Sequence, residues 1–170
     1  MSVNIIFLCT SNVCRSPMAE GFAKKWLSEK LGVSVANLEQ AGFKVQSRGV
    51  SSDYEPPGSP ASAHGVTVMN KHGMDIIDHR SAVLSVTDVL EATHIYCMAP
   101  RHHQAVIDLQ RMAFKEEAPP AAQTTPATIV KIFDPEIPDP WHGTMETFRS
   151  CSEMLEKAVT KALKEDVAAA

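Results

Sequence analysis

Residues 9–16 combine a nucleophile and a cation at a spacing that suits phosphoryl chemistry. They read Cys-Thr-Ser-Asn-Val-Cys-Arg-Ser, so Cys9 lies six positions before Arg15. If this segment joins a strand to the start of a helix, its backbone N–H groups and the helix dipole can cradle an anion. A guanidinium can grip two phosphoryl oxygens, and the same positive environment favours the nucleophilic thiolate form of a cysteine. We therefore predict that Cys9 attacks a phosphoryl group held by Arg15, with Ser16 donating a hydrogen bond to the Cys9 sulfur.

A second segment, residues 134–143, contains carboxyl groups that could protonate the group that leaves. It reads Asp-Pro-Glu-Ile-Pro-Asp-Pro-Trp-His-Gly, with aspartates at Asp134 and Asp139. A phenolate leaves faster when it is protonated, because the pKa of its conjugate acid is about 10. The prolines stiffen the segment, which suits a group that must be held in position. Each Asp-Pro pair also fits an ordinary turn, so the residues alone leave open which aspartate is the acid.

The scaffold predicted from apolar periodicity alternates strands with helices. Short apolar runs predict strands at 3–8, 41–47, 93–98 and 128–133. Helical spacing predicts helices at 17–32, with Pro17 in the first position, and at 60–72, 85–91, 102–112 and 145–165, while an Ala-, Pro- and Thr-rich connector spans 117–128. This alternation favours a parallel sheet covered on both faces, with ligands beyond the carboxyl ends of its strands. Residues 9–16 and 134–143 both follow such ends, so we expect them to meet.

Composition excludes several classes of protein. The 170 residues, 44% hydrophobic and 21% charged, predict one domain over residues 1–170 with an ordinary core. The net charge of −4 argues against a nucleic-acid partner, and no apolar run is long enough to cross a membrane. The 4 cysteines are too few for a disulfide scaffold and the start of the chain lacks the features of a signal peptide, so we expect a cytoplasmic protein. The lack of a zinc-type cysteine spacing and of a nucleotide-binding glycine loop predicts no metal and no cofactor.

The residues from Cys9 to Glu20, Cys-Thr-Ser-Asn-Val-Cys-Arg-Ser-Pro-Met-Ala-Glu, closely resemble the signature of the low-molecular-weight protein tyrosine phosphatases. Residues 139–143, Asp-Pro-Trp-His-Gly, resemble the acid loop of that family, Asp-Pro-aromatic-aromatic-Gly. The resemblance implies a flavodoxin-like fold of the phosphotyrosine protein phosphatase I type, a three-layer α/β/α sandwich around a four-stranded parallel sheet. It also implies hydrolysis of phosphotyrosine and small aryl phosphomonoesters, hence acid phosphatase activity, through a phosphocysteine. Cys9 would be the nucleophile, Arg15 the phosphate clamp and Asp139 the general acid.

The same resemblance implies roles for the residues around these three. The phosphate-binding loop would also contain Thr10, Ser11, Asn12, Val13, Cys14 and Ser16. The residues expected to contact the substrate are Tyr54, Trp141 and His142. Ser47 and His79 would hydrogen-bond Asn12 and so hold the loop in shape. Ser11 stands where the family usually has glycine, so a positive φ at Ser11 would strain the loop.

Other activities on the same loop remain as alternatives. Protein-arginine phosphatases of the family carry threonine just before the second loop cysteine, where this chain has Val13, and the apolar residue favours phosphotyrosine. Arsenate reductases need a close pair of further cysteines, whereas Cys97 and Cys151 are far apart in this sequence. A phosphopeptide-binding pseudoenzyme is a third alternative, and the residue that favours it is Ser11 in place of the usual glycine. The expected partners are phosphotyrosine proteins or peptides, and the chain is expected to be a monomer or a weak dimer.

Two further groups of residues have open roles. Cys14 could form a reversible disulfide that protects Cys9 from over-oxidation, or it could be a small buried hydrophobic residue. His102 and His103 have no cluster of partners in the sequence, which predicts a solvated start of the helix.

Overall fold

The apolar run near the start of the chain forms an inner strand of a parallel sheet. β1 (Val3–Cys9) pairs with β2 (Phe43–Gly49) on one side and with β3 (His94–Cys97) on the other, and β4 (Ile129–Ile132) pairs with β3. The strand order is therefore β2-β1-β3-β4. These elements are seen in a computed structural model that describes residues 2–116 and 128–167. The predicted connector, apart from its last residue, lies outside the described residues.

Helices cover both faces of this sheet. They are α1 (Arg15–Leu31), α2 (Ala63–Lys71), α3 (Val86–Glu91), α4 (Pro100–Glu116) and α5 (Met145–Asp166), with a short 3₁₀ turn at Val35–Asn37. Helices α1, α2 and α5 pack together on one face, and α3 and α4 pack together on the other. Within the described ranges, none of the helices has the length and apolarity that crossing a membrane requires.

Side-chain alternation along β1 builds the two halves of the core. Ile5 and Phe7 are fully buried in the cluster beneath α1 and α5, whereas Ile6 and Leu8 are fully buried in the cluster beneath α3 and α4. A strand buried on both faces reads as a continuous apolar run, which is what the sequence has at this point. The predicted three-layer α/β/α sandwich around a four-stranded parallel sheet is confirmed. The same alternation places Cys9, the last residue of β1, on the face of α1 and α5.

Two helices begin earlier than the sequence predicts. Helix α1 starts at Arg15, so Pro17 occupies its third position and not its first. The first turn of a helix leaves its N–H groups without intrahelical partners, and a proline is therefore tolerated anywhere in that turn. Helix α4 starts at Pro100, two residues before the predicted start. Both first turns lie at the carboxyl edge of the sheet, directly after β1 and β3.

Gly49, the last residue of β2, lies against the backbone of the segment that follows β1. A Cβ atom at this position would be 2.7 Å from the Thr10 carbonyl oxygen, 3.0 Å from the Ser11 carbonyl carbon and 3.1 Å from the Asn12 nitrogen. These are backbone atoms, so no side-chain rotation can relieve the overlap. Only glycine lets the two segments approach this closely.

We expect Gly49→Ala to destabilise the protein by about 1–3 kcal/mol, because the added methyl group must push the segment after β1 out of place. The measurement is the free energy of unfolding in denaturant. Gly65→Ala is the matched control: its Cβ would meet nothing closer than 3.8 Å and it lies inside α2, so it should be neutral or stabilising. Equal stability of the two variants would show that the close approach at Gly49 imposes no constraint.

Candidate active site

The loop between β1 and α1 turns on a left-handed residue, Asn12. Its φ is 61°, whereas Ser11 is not among the residues with positive φ. Asparagine adopts this conformation more readily than most residues. The condition for strain at Ser11 is therefore not met, because the positive φ falls one position later, on a residue that tolerates it.

The Asn12 side chain and carbonyl hold the loop in shape from inside the protein. The side chain is fully buried, its Nδ2 donates to Ser16 Oγ at 2.8 Å, and its Oδ1 accepts from the Ala82 N–H at 2.9 Å. The Asn12 carbonyl oxygen lies 2.7 Å from His79 Nε2. Burial lowers the pKa of His79, so the ring is neutral with its proton on Nε2, which donates to this carbonyl. His79 thus contacts the loop through the backbone of Asn12, and its supporting role stays a prediction.

Ser47 supports a different residue from the one predicted. Its hydroxyl donates to Glu20 Oε2 at 2.6 Å, so the prediction that it hydrogen-bonds Asn12 is wrong. Glu20 lies in α1 and also pairs with Lys24 at 2.6 Å. Ser47 therefore anchors α1 to β2. The role of Glu20 could not be predicted from the sequence, because a glutamate one turn before a lysine fits any exposed helix face.

Cys9 ends β1 with its thiol beside the hydroxyl of Ser16. The two atoms, Cys9 Sγ and Ser16 Oγ, are 3.0 Å apart, and both residues are buried. Because Ser16 Oγ already accepts from Asn12, its own hydrogen remains available for the sulfur or for the Arg48 carbonyl oxygen at 3.3 Å. The hydroxyl can therefore donate to a thiolate at Cys9, as the sequence predicts.

Arg15 is a buried cation that is only 2% exposed. Its Nη1 donates to the Ile137 carbonyl oxygen at 2.9 Å, and its Nη2 lies 3.4 Å from both Thr10 Oγ1 and Asp139 Oδ2. Its Nε has no hydrogen-bond partner among the described residues, although the atom is buried. A buried donor without an acceptor costs free energy, and a charged one costs more. An unpaired buried donor of this kind suits a ligand that brings acceptor oxygens.

Of the two candidate aspartates, only Asp139 lies at the site. Its Oδ1 accepts from the Trp141 backbone N–H at 3.1 Å while its Oδ2 faces Arg15, and its side chain is 38% exposed. Asp134 is exposed and is not among the residues that line the cavity above Cys9. The segment after β4 thus presents one carboxylate to the loop after β1.

A cavity of about 300 Å³ opens above these groups. Its lining comes from the loop after β1, the first turn of α4 and the segments at 54 and 139–141: Cys9, Thr10, Ser11, Val13, Cys14, Arg15, Tyr54, Arg101, Asp139 and Trp141. At the mouth, the rings of Tyr54 and Trp141 lie edge to face with centroids 5.7 Å apart. Trp141 Nε1 donates to Glu55 at 3.4 Å, so the two segments that carry these rings are joined by a hydrogen bond. The apolar surface of these two rings can pack against a flat ring bound in the cavity.

His142 lies outside this cavity, contrary to its expected place beside the substrate. Its ring packs against the far face of the wall, 4.0 Å from the Trp141 ring centroid, and it lines a neighbouring cavity of about 480 Å³. Its φ of 60° turns the chain at this point. The backbone turn directs consecutive side chains to opposite sides, so only Trp141 faces the cavity above Cys9.

Two residues of α4 contact the site although no local sequence pattern marks them. Arg101 lines the cavity, and His102, predicted to be solvated, is fully buried with its Nε2 3.1 Å from Thr10 Oγ1. The fold class alone could have indicated them. Ligands bind beyond the carboxyl ends of parallel strands, and these two residues closely follow the carboxyl end of β3. β3 lies beside β1, so its following turn must reach the loop at Thr10.

The other cysteines are protonated thiols. All four cysteines are free, and burial raises the pKa of Cys14, Cys97 and Cys151 to about 12. Cys14 is also disfavoured as a thiolate by Cys9 and Asp139. Its role in redox protection stays a prediction. In the residues described, no group of three or more His, Cys, Asp or Glu side chains could hold a metal ion.

Comparisons with known proteins agree with this geometry. The family model described as low molecular weight phosphotyrosine protein phosphatase matches residues 4–169. A protein-arginine-phosphatase of Geobacillus stearothermophilus is 29% identical, over 95% of this chain and 94% of its own. A low molecular weight protein-tyrosine-phosphatase of Streptomyces coelicolor is 25% identical, over 94% and 91%.

A solved structure shares the fold at nearly full length. The low molecular weight protein tyrosine phosphatase from T. tengcongensis superimposes with a TM-score of 0.73 at 26% identity, covering 96% of this chain and 99% of its own. The family match spans the cysteine loop, the acid segment and every strand between them. The chain therefore belongs to the low molecular weight phosphotyrosine protein phosphatase family.

Proposed function

We propose that this protein hydrolyses phosphotyrosine in proteins or peptides, and small aryl phosphomonoesters, through a phosphocysteine on Cys9. The observation that carries the proposal is the buried guanidinium of Arg15, whose Nε lacks an acceptor at the base of a cavity that also holds Cys9 and Asp139. A phosphoryl dianion supplies both the missing acceptor and the missing charge. The nucleophile, the clamp and the acid thus surround one anion site.

In the first step the Cys9 thiolate attacks phosphorus, and the bond from phosphorus to the phenolic oxygen breaks as the S–P bond forms. Arg15 and the loop N–H groups hold the equatorial oxygens, which carry the charge of the transition state. Asp139 gives its proton to the departing phenolate oxygen. Its position supports this role, because its carboxyl group lines the same cavity as Cys9 and lies 3.4 Å from the Arg15 guanidinium.

In the second step water attacks the phosphocysteine. Asp139, now a carboxylate, accepts a proton from that water, and the S–P bond breaks to release inorganic phosphate. The returning Cys9 thiolate accepts a hydrogen bond from Ser16, whose hydroxyl lies 3.0 Å from the sulfur. Each group ends the cycle in its starting protonation state.

The cavity walls favour an aromatic substrate over phosphoarginine. Val13, Tyr54 and Trp141 present apolar surface beside the anion site. A phenol ring gains from burial against such surface, whereas the guanidinium of phosphoarginine would leave N–H groups without partners. A protein-arginine-phosphatase among the relatives makes phosphoarginine the second candidate, and the test must include it.

We further propose that residues 1–170 act as a single domain, as a monomer or a weak dimer, on cytoplasmic phosphotyrosine proteins. The length of the family match, residues 4–169, supports the single domain. Size-exclusion chromatography with light scattering tests the oligomeric state.

Cys9→Ser should lower turnover of an aryl phosphate by several orders of magnitude, because the hydroxyl is a far weaker nucleophile than the thiolate. Binding of inorganic phosphate should survive, since Arg15 and the loop are intact. Cys97→Ala, which removes a thiol from the core on the other face of the sheet, should keep the wild-type rate. Wild-type turnover by Cys9→Ser would rule out the phosphocysteine. A wild-type protein that binds phosphate without turning over the ester would instead be the phosphopeptide-binding pseudoenzyme.

Asp139→Asn should slow phosphotyrosine hydrolysis by about 10²–10⁴-fold, because it removes the proton while keeping the size of the side chain. A nitrophenyl phosphate should be slowed less, since nitrophenolate leaves without much protonation. Asp134→Asn is the matched control and should change neither rate, because Asp134 lies outside the cavity. Steady-state rates of both variants on both esters give the answer. If Asp134→Asn showed the loss that depends on the leaving group, the assignment of the acid would be wrong.

Val13→Thr should lower the ratio of kcat/KM for phosphotyrosine to kcat/KM for phosphoarginine by up to about tenfold. The added hydroxyl weakens the apolar wall and offers an acceptor to a guanidinium, and one such hydrogen bond is worth about 0.5–1.5 kcal/mol. Val35→Thr, an exposed position outside the cavity, should leave the ratio unchanged. A wild-type ratio below one would favour the arginine substrate.

A further inference from the structure

His102 is a buried imidazole in direct contact with the phosphate-binding loop. It lies in the first turn of α4, is fully buried, and places Nε2 3.1 Å from Thr10 Oγ1. Thr10 is the residue after the nucleophile and lines the same cavity. The mechanism described above uses neither residue, although both adjoin the reacting groups.

The hydrogen bonds of His102 determine which of its nitrogens carries the proton. The Ala99 backbone N–H points at Nδ1 from 3.1 Å, and a backbone nitrogen can only donate. Nδ1 is therefore the acceptor, so Nε2 carries the hydrogen and donates it to Thr10 Oγ1. Burial first, and then the charges of Arg15 and Arg101, lower the pKa of His102 to about 3, so the ring stays neutral at any working pH.

The Thr10 oxygen faces an excess of donors. Besides His102, Arg15 Nη2 approaches it at 3.4 Å and Arg101 Nη2 at 3.5 Å. A hydroxyl oxygen has two lone pairs, and N–H groups cannot accept its hydrogen. With both lone pairs occupied, the Thr10 hydrogen must point away from these three groups. Thr10 lines the cavity above Cys9, so this hydrogen is available to an anion bound there.

We propose that Thr10 is a hydrogen-bond donor to the bound phosphoryl group, and that His102 is the positioning residue that fixes this donor and, through it, the Arg15 guanidinium. The inference rests on the proposed function and adds to it. Three donations run in one direction: Ala99 N–H to His102 Nδ1, His102 Nε2–H to Thr10 Oγ1, and Thr10 O–H to a phosphoryl oxygen. No proton is transferred, and the chain of dipoles ends on the anion.

Thr10→Val tests the donor, because valine has the same shape and no hydroxyl. Inorganic phosphate is the probe, measured by its protection of Cys9 against alkylation by iodoacetate, a readout that does not need turnover. We expect phosphate affinity and kcat/KM for an aryl phosphate each to fall about 10–100-fold, the effect of losing a hydrogen bond to a charged group. Thr10→Ser should retain most of both. Thr67→Val, an exposed threonine of α2, is the matched control.

His102→Gln and His102→Phe test the positioning role. Glutamine can still donate to Thr10 and should retain most of the phosphate affinity, whereas phenylalanine cannot and should lose it as Thr10→Val does. In the Thr10→Val background, His102→Phe should cause little further loss, since a residue acting only through Thr10 has nothing left to position. The pH–rate profile of His102→Gln should keep the wild-type limbs, because the ring stays neutral throughout. His103→Gln, the neighbouring half-buried histidine, is the matched control.

The outcomes separate this inference from the proposed function. Three results would each overturn the inference. They are wild-type phosphate affinity in Thr10→Val, additive losses of affinity in the double variant, and a shifted limb in the pH–rate profile of His102→Gln. If His102→Phe fails to fold, Thr10→Val against Thr10→Ser and the glutamine variant still decide it. Absence of turnover by a wild-type protein that phosphate protects would overturn the proposed function and leave the role of Thr10 in phosphate binding standing.

Discussion

The buried positive charge of Arg15 is the constraint on which the rest of the site depends. A guanidinium that is 2% exposed needs acceptors on all sides, because burying an unpaired charge is costly. The protein provides a carbonyl from Ile137, a carboxylate from Asp139 and a hydroxyl from Thr10, and it leaves Nε for the ligand. An anion bound beside Nε would complete the hydrogen bonding of the Arg15 guanidinium.

The loop around that charge keeps its shape through contacts that lie behind it. Asn12 takes up the left-handed turn, its buried side chain spans from Ser16 to the Ala82 backbone, and the bare backbone of Gly49 lies against it. These contacts are short and directional, and they are made before any ligand arrives. The loop that they support therefore need not rearrange during the reaction. Such preorganisation of hydrogen-bond donors is the main way in which electrostatic catalysis lowers a barrier.

The sequence predicted the parts of this site that are contiguous in the chain. Cys9, Arg15 and Ser16 lie within eight residues, and the layers of the fold followed from the alternation of strands and helices. It failed where the contact depends on strand order. The turn containing His102 reaches Thr10 only because β3 lies beside β1, and no local pattern encodes that neighbour. The assignment of Ser47 failed for a related reason, since its partner Glu20 lies in α1 and could not be inferred from the residues around Ser47.

The hydrogen bond from Arg15 to Ile137 joins residues that are 122 positions apart. Forming a contact of such long sequence separation costs the entropy of closing the loop between the two residues. During synthesis the cysteine loop leaves the ribosome long before the segment that carries Asp139. A nascent or partly folded chain therefore has a thiol without its acid and a guanidinium without its carbonyl. The complete set of catalytic groups consequently comes together only when nearly the whole chain has been made and docked.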